Sequence, residues 1–186
     1  MLKKIVTDYL ADLKDAIDRL PFAELEEIVD VVWSAYVKER NIFIMGNGGS
    51  AATASHFACD LNKGVSLKLH KRFKVICLND SVPIMLAYAN DVSYEKVFVE
   101  QLRNFLKPND VVIGITGSGN SKNILKAIQY GNTVGAITIG FTGFKGGRLE
   151  KIAKHTVIIS SNDLQKIEDV HLILCHIIMQ FFAKKL

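Results

Sequence analysis

The chain has 186 residues, 49% hydrophobic and 23% charged, which fits one globular domain with a sizeable core. Its net charge of +4 argues against a nucleic-acid binder, and the nearest basic cluster, Lys68, His70, Lys71, Arg72 and Lys74, reads as a solvated loop. No apolar run approaches the roughly 20 residues of a membrane span. The opening MLKKIVTDYLADLKDAI is amphipathic and carries acids, unlike a secretory leader. Cys59, Cys77 and Cys175 lack metal or redox spacing and lie in apolar patterns, as buried thiols do. The expectation is a cytoplasmic protein with neither a membrane nor a nucleic-acid partner.

In chain order, residues 3–18 set Ile5, Tyr9, Leu10, Leu13 and Ile17 at helical spacing, and after Pro21 a second helix is predicted over 22–38. IFIM (42–45) is a short β-type run ending at Gly46, followed by a helix from Ser50 to about Asn62. FKVICL (73–78) reads as a buried strand, then helices over 81–90 and 93–106. DVVIGIT (110–116) is a strand, and SKNILKAIQYG (121–131) a helix with Gly131 near its end. Strands follow at AITIGFT (136–142) and TVIIS (156–160), with a last helix over 163–184. Five apolar strands separated mostly by helices predict an α/β fold, a parallel sheet covered on both faces. Its ligand site should lie at the carboxyl ends of the strands. The two leading helices either cap the sheet or join copies of the chain.

Two loops suit an anion. Gly46-Asn47-Gly48-Gly49-Ser50 links a strand to a helix, so glycine backbone and the helix's unpaired N–H groups can approach a phosphate. Gly46-x-Gly48-x-x-Ala51 also fits a dinucleotide fingerprint, but the acid expected about 20 residues on is missing, and Asp80 comes about 30 residues on. Thr116-Gly117-Ser118-Gly119-Asn120-Ser121 again opens a helix, with three hydroxyls and two glycines in six residues. That is a neutral, donor-rich cradle for a phosphate monoester. With no GxxxxGK[ST] pattern, nucleotide hydrolysis is not expected. His56 and Asp60, four apart, share a helix face, and the last helix carries Glu168 and His176, about 80° apart around its axis. These four could bind Zn²⁺ or a similar ion, act as general acids and bases, or be surface pairs. His171 points away from His176 by roughly 140°.

GNGGSAATASHFACDL (46–61), TGSGNS (116–121) and KIEDVHLILCH (166–176) together resemble the sugar-isomerase (SIS) domain, specifically the phosphoheptose isomerases. The resemblance spans nearly the whole chain. It implies one flavodoxin-like, three-layer SIS domain over 1–186, with 1–40 an N-terminal helical oligomerisation segment and 41–186 the phosphosugar-binding core. It also implies a homotetramer with active sites at subunit interfaces. The implied activity is aldose–ketose isomerisation of sedoheptulose 7-phosphate to D-glycero-D-manno-heptose 7-phosphate. The resemblance places Ser50, Thr116, Ser118 and Ser121 on the phosphate. It adds Asn47, Gly48, Gly49, Gly117 and Asn120 from the same loops, and the polar positions Asp80, Asn90 and Asp91. Asp60 and His176 become catalytic, and His56, Asp60, Glu168 and His176 hold a divalent metal, Zn²⁺ foremost. The chain departs from the family pattern in four places: Asp60 replaces a glutamate, Glu168 a glutamine, Gly64 a basic residue (with Lys63 beside it) and Gly117 a hydroxyl residue. The rival expectations are an isomerase of another sugar phosphate, and a non-enzymatic SIS protein that binds phosphosugar or associates with the replication initiator DnaA. Retention of both histidines and two carboxylates weighs against the latter.

Overall fold

The computed structural model describes residues 1–186. The order is α1 (Leu2–Asp18), α2 (Phe22–Val37), β1 (Asn41–Gly46), α3 (Gly49–Cys59), β2 (Lys74–Cys77), α4 (Val82–Asp91), α5 (Val97–Phe105), β3 (Val111–Ile115), α6 (Lys122–Val134), β4 (Ile137–Gly143), α7 (Leu149–Ile152), β5 (His155–Ile159) and α8 (Leu164–Lys185). The five strands form one sheet in the order β2-β1-β3-β4-β5, all pairs parallel. This is the flavodoxin-like order, and strand order reverses between β1 and β3. The two glycine-rich loops leave the carboxyl ends of those two strands. Topology alone therefore brings them together.

Strand alternation divides the core in two. Ile42, Ile44, Ile113, Ile139 and Phe141 pack with Ile28 and Val32 of α2, Phe57 of α3, and Leu174 and Phe182 of α8. Phe43, Met45 and Val112 face the other way, against Phe98 and Leu102 of α5, Ile124 and Ile128 of α6, and Leu149 of α7. The expected helices on both faces are present, and α1 and α2 share the first core. In α1, however, only Ala16 is buried, while Leu2, Ile5, Val6 and Leu10 are exposed. No residue of α4 is buried, although its first turns carry Val82, Ile84 and Leu86.

Four local readings change. The helix begun at Gly49 does not run on as α-helix to Asn62; from Asp60 to Val65 it widens into a π-helix. A π segment is a common distortion at functional sites. Gly131 does not end α6: it is buried, and a β-carbon there would sit 3.0 Å from Thr138 Cγ2, so the glycine lets α6 lie close on the sheet. The left-handed terminator is Gly135 (φ 84). The short helix α7 escaped the sequence pattern. Of the three cysteines, Cys77 and Cys175 are buried but Cys59 is exposed. No helix is long and apolar enough to cross a membrane.

His171 lies on the buried face of α8 with no exposed surface. Its Nε2–H donates to the Thr142 carbonyl at 3.2 Å, and its Nδ1 has no partner. Burial pushes its pKa down to about 4. The ring is therefore neutral in the fold, while the unfolded chain takes up a proton near 6.5. Stability should be constant above about pH 7 and fall as pH drops from about 6.5 to about 4, by about 3 kcal/mol from this group. In urea titrations at pH 7.5 and 4.5, His171→Gln should remove that part of the pH slope. An unchanged slope would refute the assignment.

Candidate active site

The two loops line one cavity of about 170 Å³. Asn47 and Ser50 come from the first loop, and Ile115, Thr116, Gly117, Ser118 and Ser121 from the second, with Leu164 and Glu168 of α8 as a wall. Three hydroxyls converge: Thr116 Oγ1 lies 3.0 Å from Ser121 Oγ and 3.4 Å from Ser118 Oγ. Ser121 is the N-cap of α6, with Thr116 and Ser118 on the loop before it, and Ser50 lies in the first turn of α3. Helix N-terminal N–H groups thus add a partial positive charge at the cavity.

The loops are shaped by their neighbours. Gly48 takes φ 55, a conformation that favours glycine. A β-carbon on Gly49 would fall 2.6 Å from Glu168 Oε2, so this glycine admits the carboxylate against the loop. A β-carbon on Gly117 would fall 2.5 Å from Leu164 Cδ1, so Leu164 fills the space a larger residue would need. Asn120 is occupied structurally: its Nδ2 donates to Ser118 O at 2.8 Å, and its Oδ1 accepts from Arg148 N at 3.1 Å.

A second cluster lies where α3 meets α8. His56 Nε2 and His176 Nε2 are 2.9 Å apart, and Asp60 Oδ2 is 3.5 Å from the first and 3.9 Å from the second. One ligand atom from each residue falls within a 4.8 Å group. Asp60 Oδ2 is buried without a hydrogen-bond partner. Two imidazoles and a carboxylate suit a divalent ion, and bonds of about 2.0–2.1 Å in a tetrahedron put donors roughly 3.3 Å apart. The residues present fit such an ion. Glu168 lies outside this trio and lines the loop cavity, two helical turns before His176. Beneath the trio, burial first and then the charge of Asp60 push the Cys175 thiol pKa up, which leaves it inert.

The remaining expected residues stand apart from the cavity lining. Asp80 is exposed and accepts a hydrogen bond from Ser55 Oγ. Asn90 and Asp91 are exposed at the end of α4 and bonded to each other at 2.8 Å; Asp91 lines a separate groove with Ile84 and Tyr88. Two residues that sequence reasoning missed support the first loop. Asn79 brackets Gly46, its Oδ1 accepting from Gly46 N at 3.0 Å and its Nδ2 donating to Gly46 O at 2.8 Å. It stands in for a further residue of β2 beside β1. Asn123, buried on α6, pairs with Asn47 across the two loops. The signal available was a polar residue on the otherwise apolar face of α6.

The SIS domain family model matches residues 7–143. The phosphoheptose isomerase of Aquifex aeolicus is 38% identical over 167 residues, covering 87% of each chain. That of Helicobacter pylori (strain 26695) is 34% identical over 178 residues, 96% of this chain and 92% of the relative. In fold, the chain is similar to the phosphoheptose isomerase from Neisseria gonorrhoeae, with a TM-score of 0.91, 23% identity, and 99% and 100% of the two chains covered. Two phosphate-type loops on one cavity, a His-Asp-His cluster beside them and these relatives agree: the chain belongs to the SIS-domain family and, within it, to the phosphoheptose isomerases.

Proposed function

We propose that this chain isomerises sedoheptulose 7-phosphate to D-glycero-D-manno-heptose 7-phosphate. The observation that carries the reading is one cavity joining a neutral hydroxyl cradle to a wall, α8, whose His176 meets His56 and Asp60 from the α3 side in the His-Asp-His trio. Thr116, Ser118 and Ser121 hold the phosphate ester, with Ser50 and Asn47 closing the other side. Fixing the remote phosphate turns its binding energy into orientation of the reacting carbons. Asp60 takes a proton from C1 of the open-chain ketose while the C2 carbonyl oxygen gains one. The resulting enediol loses its O1 proton and is protonated at C2, giving the aldose. His176 serves as the acid that assists ring opening. His56, Asp60 and His176 would hold a divalent metal, with Glu168 a further carboxylate on α8; when bound, the ion would supply a Lewis acid for the substrate carbonyl.

The test is incubation with a panel of ketose phosphates in D₂O, before and after chelation. Deuterium should enter C2 of the aldose from the heptose substrate. Chelation should cut the rate at least about tenfold, and added Zn²⁺ should restore it. Exchange with a shorter ketose phosphate in preference would move the assignment to another sugar, and no exchange with any substrate would favour a binding role.

We also read the chain as a single SIS domain that assembles as a homotetramer through helices including the 1–40 segment. The support is apolar: exposed Leu2, Ile5, Val6 and Leu10 on α1, and an α4 with no buried residue. In that assembly Asp80, Asn90 and Asp91 would meet substrate at a subunit boundary. Sedimentation equilibrium should give four times the chain mass, and a monomer at micromolar concentration would exclude it.

A further inference from the structure

Loop one and loop two are joined by a closed pair of side-chain amides. Asn47 Nδ2 donates to Asn123 Oδ1 at 2.9 Å, and Asn123 Nδ2 donates to Asn47 Oδ1 at 2.9 Å. Asn123 is 3% exposed. An isolated amide pair of this kind could turn over as a unit, each side chain exchanging oxygen for nitrogen. Here it cannot do so freely, because the Ile124 backbone N–H also donates to Asn123 Oδ1 at 2.9 Å. A backbone N–H is only ever a donor, so it fixes which end of Asn123 is oxygen. That in turn fixes Asn47. The Tyr94 hydroxyl donates to Asn47 Oδ1 at 2.8 Å from a third direction. Tyr94 is itself held: the next residue, Glu95, binds Lys122 Nζ at 2.9 Å and Lys126 Nζ at 2.6 Å, both on α6.

An asparagine oxygen accepts two hydrogen bonds and its nitrogen donates two. Asn47 Oδ1 has both acceptor positions filled, by Asn123 and Tyr94. Asn47 Nδ2 has one proton in use and one left. Asn47 lines the cavity with Ser50, Thr116 and Ser121. What it offers a ligand is therefore an N–H and not a carbonyl, which is the polarity a phosphate or sugar oxygen requires.

We propose that Asn123 and Tyr94 are positioning residues for the isomerase: they lock the Asn47 amide with its N–H toward the substrate and tie the two phosphate loops into one receptor. The proposal rests on the reading of Asn47 as a substrate contact. Four variants test it, namely Asn123→Leu, Tyr94→Phe, Asn47→Ala and the double Asn123→Leu/Asn47→Ala. Each is assayed for inorganic phosphate affinity and for KM and kcat with sedoheptulose 7-phosphate. Asn123→Leu should weaken phosphate binding and raise KM about tenfold with kcat within about threefold, because binding shared by ground and transition states is lost. Tyr94→Phe, at an exposed position that tolerates the change, should raise KM about threefold and serves alone if Asn123→Leu does not fold. The double variant should be no worse than Asn47→Ala, since Asn123 acts through Asn47. Additive effects, or normal KM in both Asn123→Leu and Tyr94→Phe while Asn47→Ala is impaired, would overturn the positioning role alone. An unimpaired Asn47→Ala would remove Asn47 from the site and the proposal with it.

Discussion

Asp60→Asn should lose at least about a thousandfold in kcat while holding inorganic phosphate within about threefold of the parent protein. Proton transfer by a placed carboxylate is worth roughly 10²–10⁴ in rate, and this residue also belongs to the His-Asp-His trio. The amide keeps the shape of the side chain and removes its basicity. The cavity between the two loops is lined by other residues, so anion binding there has no direct reason to change. Stability should move the opposite way. Asp60 Oδ2 is buried without a hydrogen-bond partner, and a buried acceptor left unpaired costs about 1–3 kcal/mol. In the metal-free protein, a neutral amide beside His56 and His176 can donate to an imidazole nitrogen. Asp60→Asn should therefore melt at the same temperature as the parent or higher while its activity collapses, the trade-off expected where a site is strained for function. His176→Ala should show a similar loss of turnover. The double variant should be little worse than either single one, because the two residues act as a unit. Turnover within about tenfold of the parent in Asp60→Asn would exclude it as the base.

Much of this arrangement is legible in the sequence for a physical reason. A parallel sheet buried on both faces writes itself as continuous Val/Ile runs, as in VVIGI and ITIGFTG, and a loop that must approach a phosphate writes itself as glycine and hydroxyl residues. Less legible were features that depend on contacts distant in sequence. Glu168 and His176 share a helix, and the sequence alone allows them one ligand set, yet Glu168 faces Gly49 while His176 meets His56. Helical spacing gives the angle between two side chains but not what stands opposite each. Asn79 and Asn123 carry no local motif, because their partners, Gly46 and Asn47, are 33 and 76 residues away. The exposed apolar residues of α1 and α4 show the same limit: periodicity marks an apolar face, but not whether this chain or another copy covers it.

The turn after β4 carries the second large effect, because Gly119→Val should disable the second loop. Gly119 has φ 65, a backbone state that costs a residue with a β-carbon about 1–2 kcal/mol. The space is also taken. A β-carbon there would land against the Gly146 carbonyl, 2.7 Å from its carbon, and 2.8 Å from Thr142 Oγ1. These neighbours have little freedom. Gly143 N donates to Gly117 O at 2.9 Å, Leu149 N donates to Gly119 O at 2.9 Å, and Asn120 bridges Ser118 and Arg148. The loop and the turn are laced backbone to backbone, so neither can yield without moving the other. A valine must push the loop away from the turn, which separates Ser118 from Thr116 and Ser121 and opens the cradle. The expected result is phosphate affinity weakened at least about a hundredfold, with a stability loss of about 3 kcal/mol or more from the strain and the broken loop bonds together. Gly119→Ala, with one carbon in the same place, should give a smaller loss in the same direction. Phosphate titration calorimetry on the folded variants separates the two effects. If Gly119→Val binds phosphate like the parent, the second loop is not the cradle, and the anion must be held by the first loop alone.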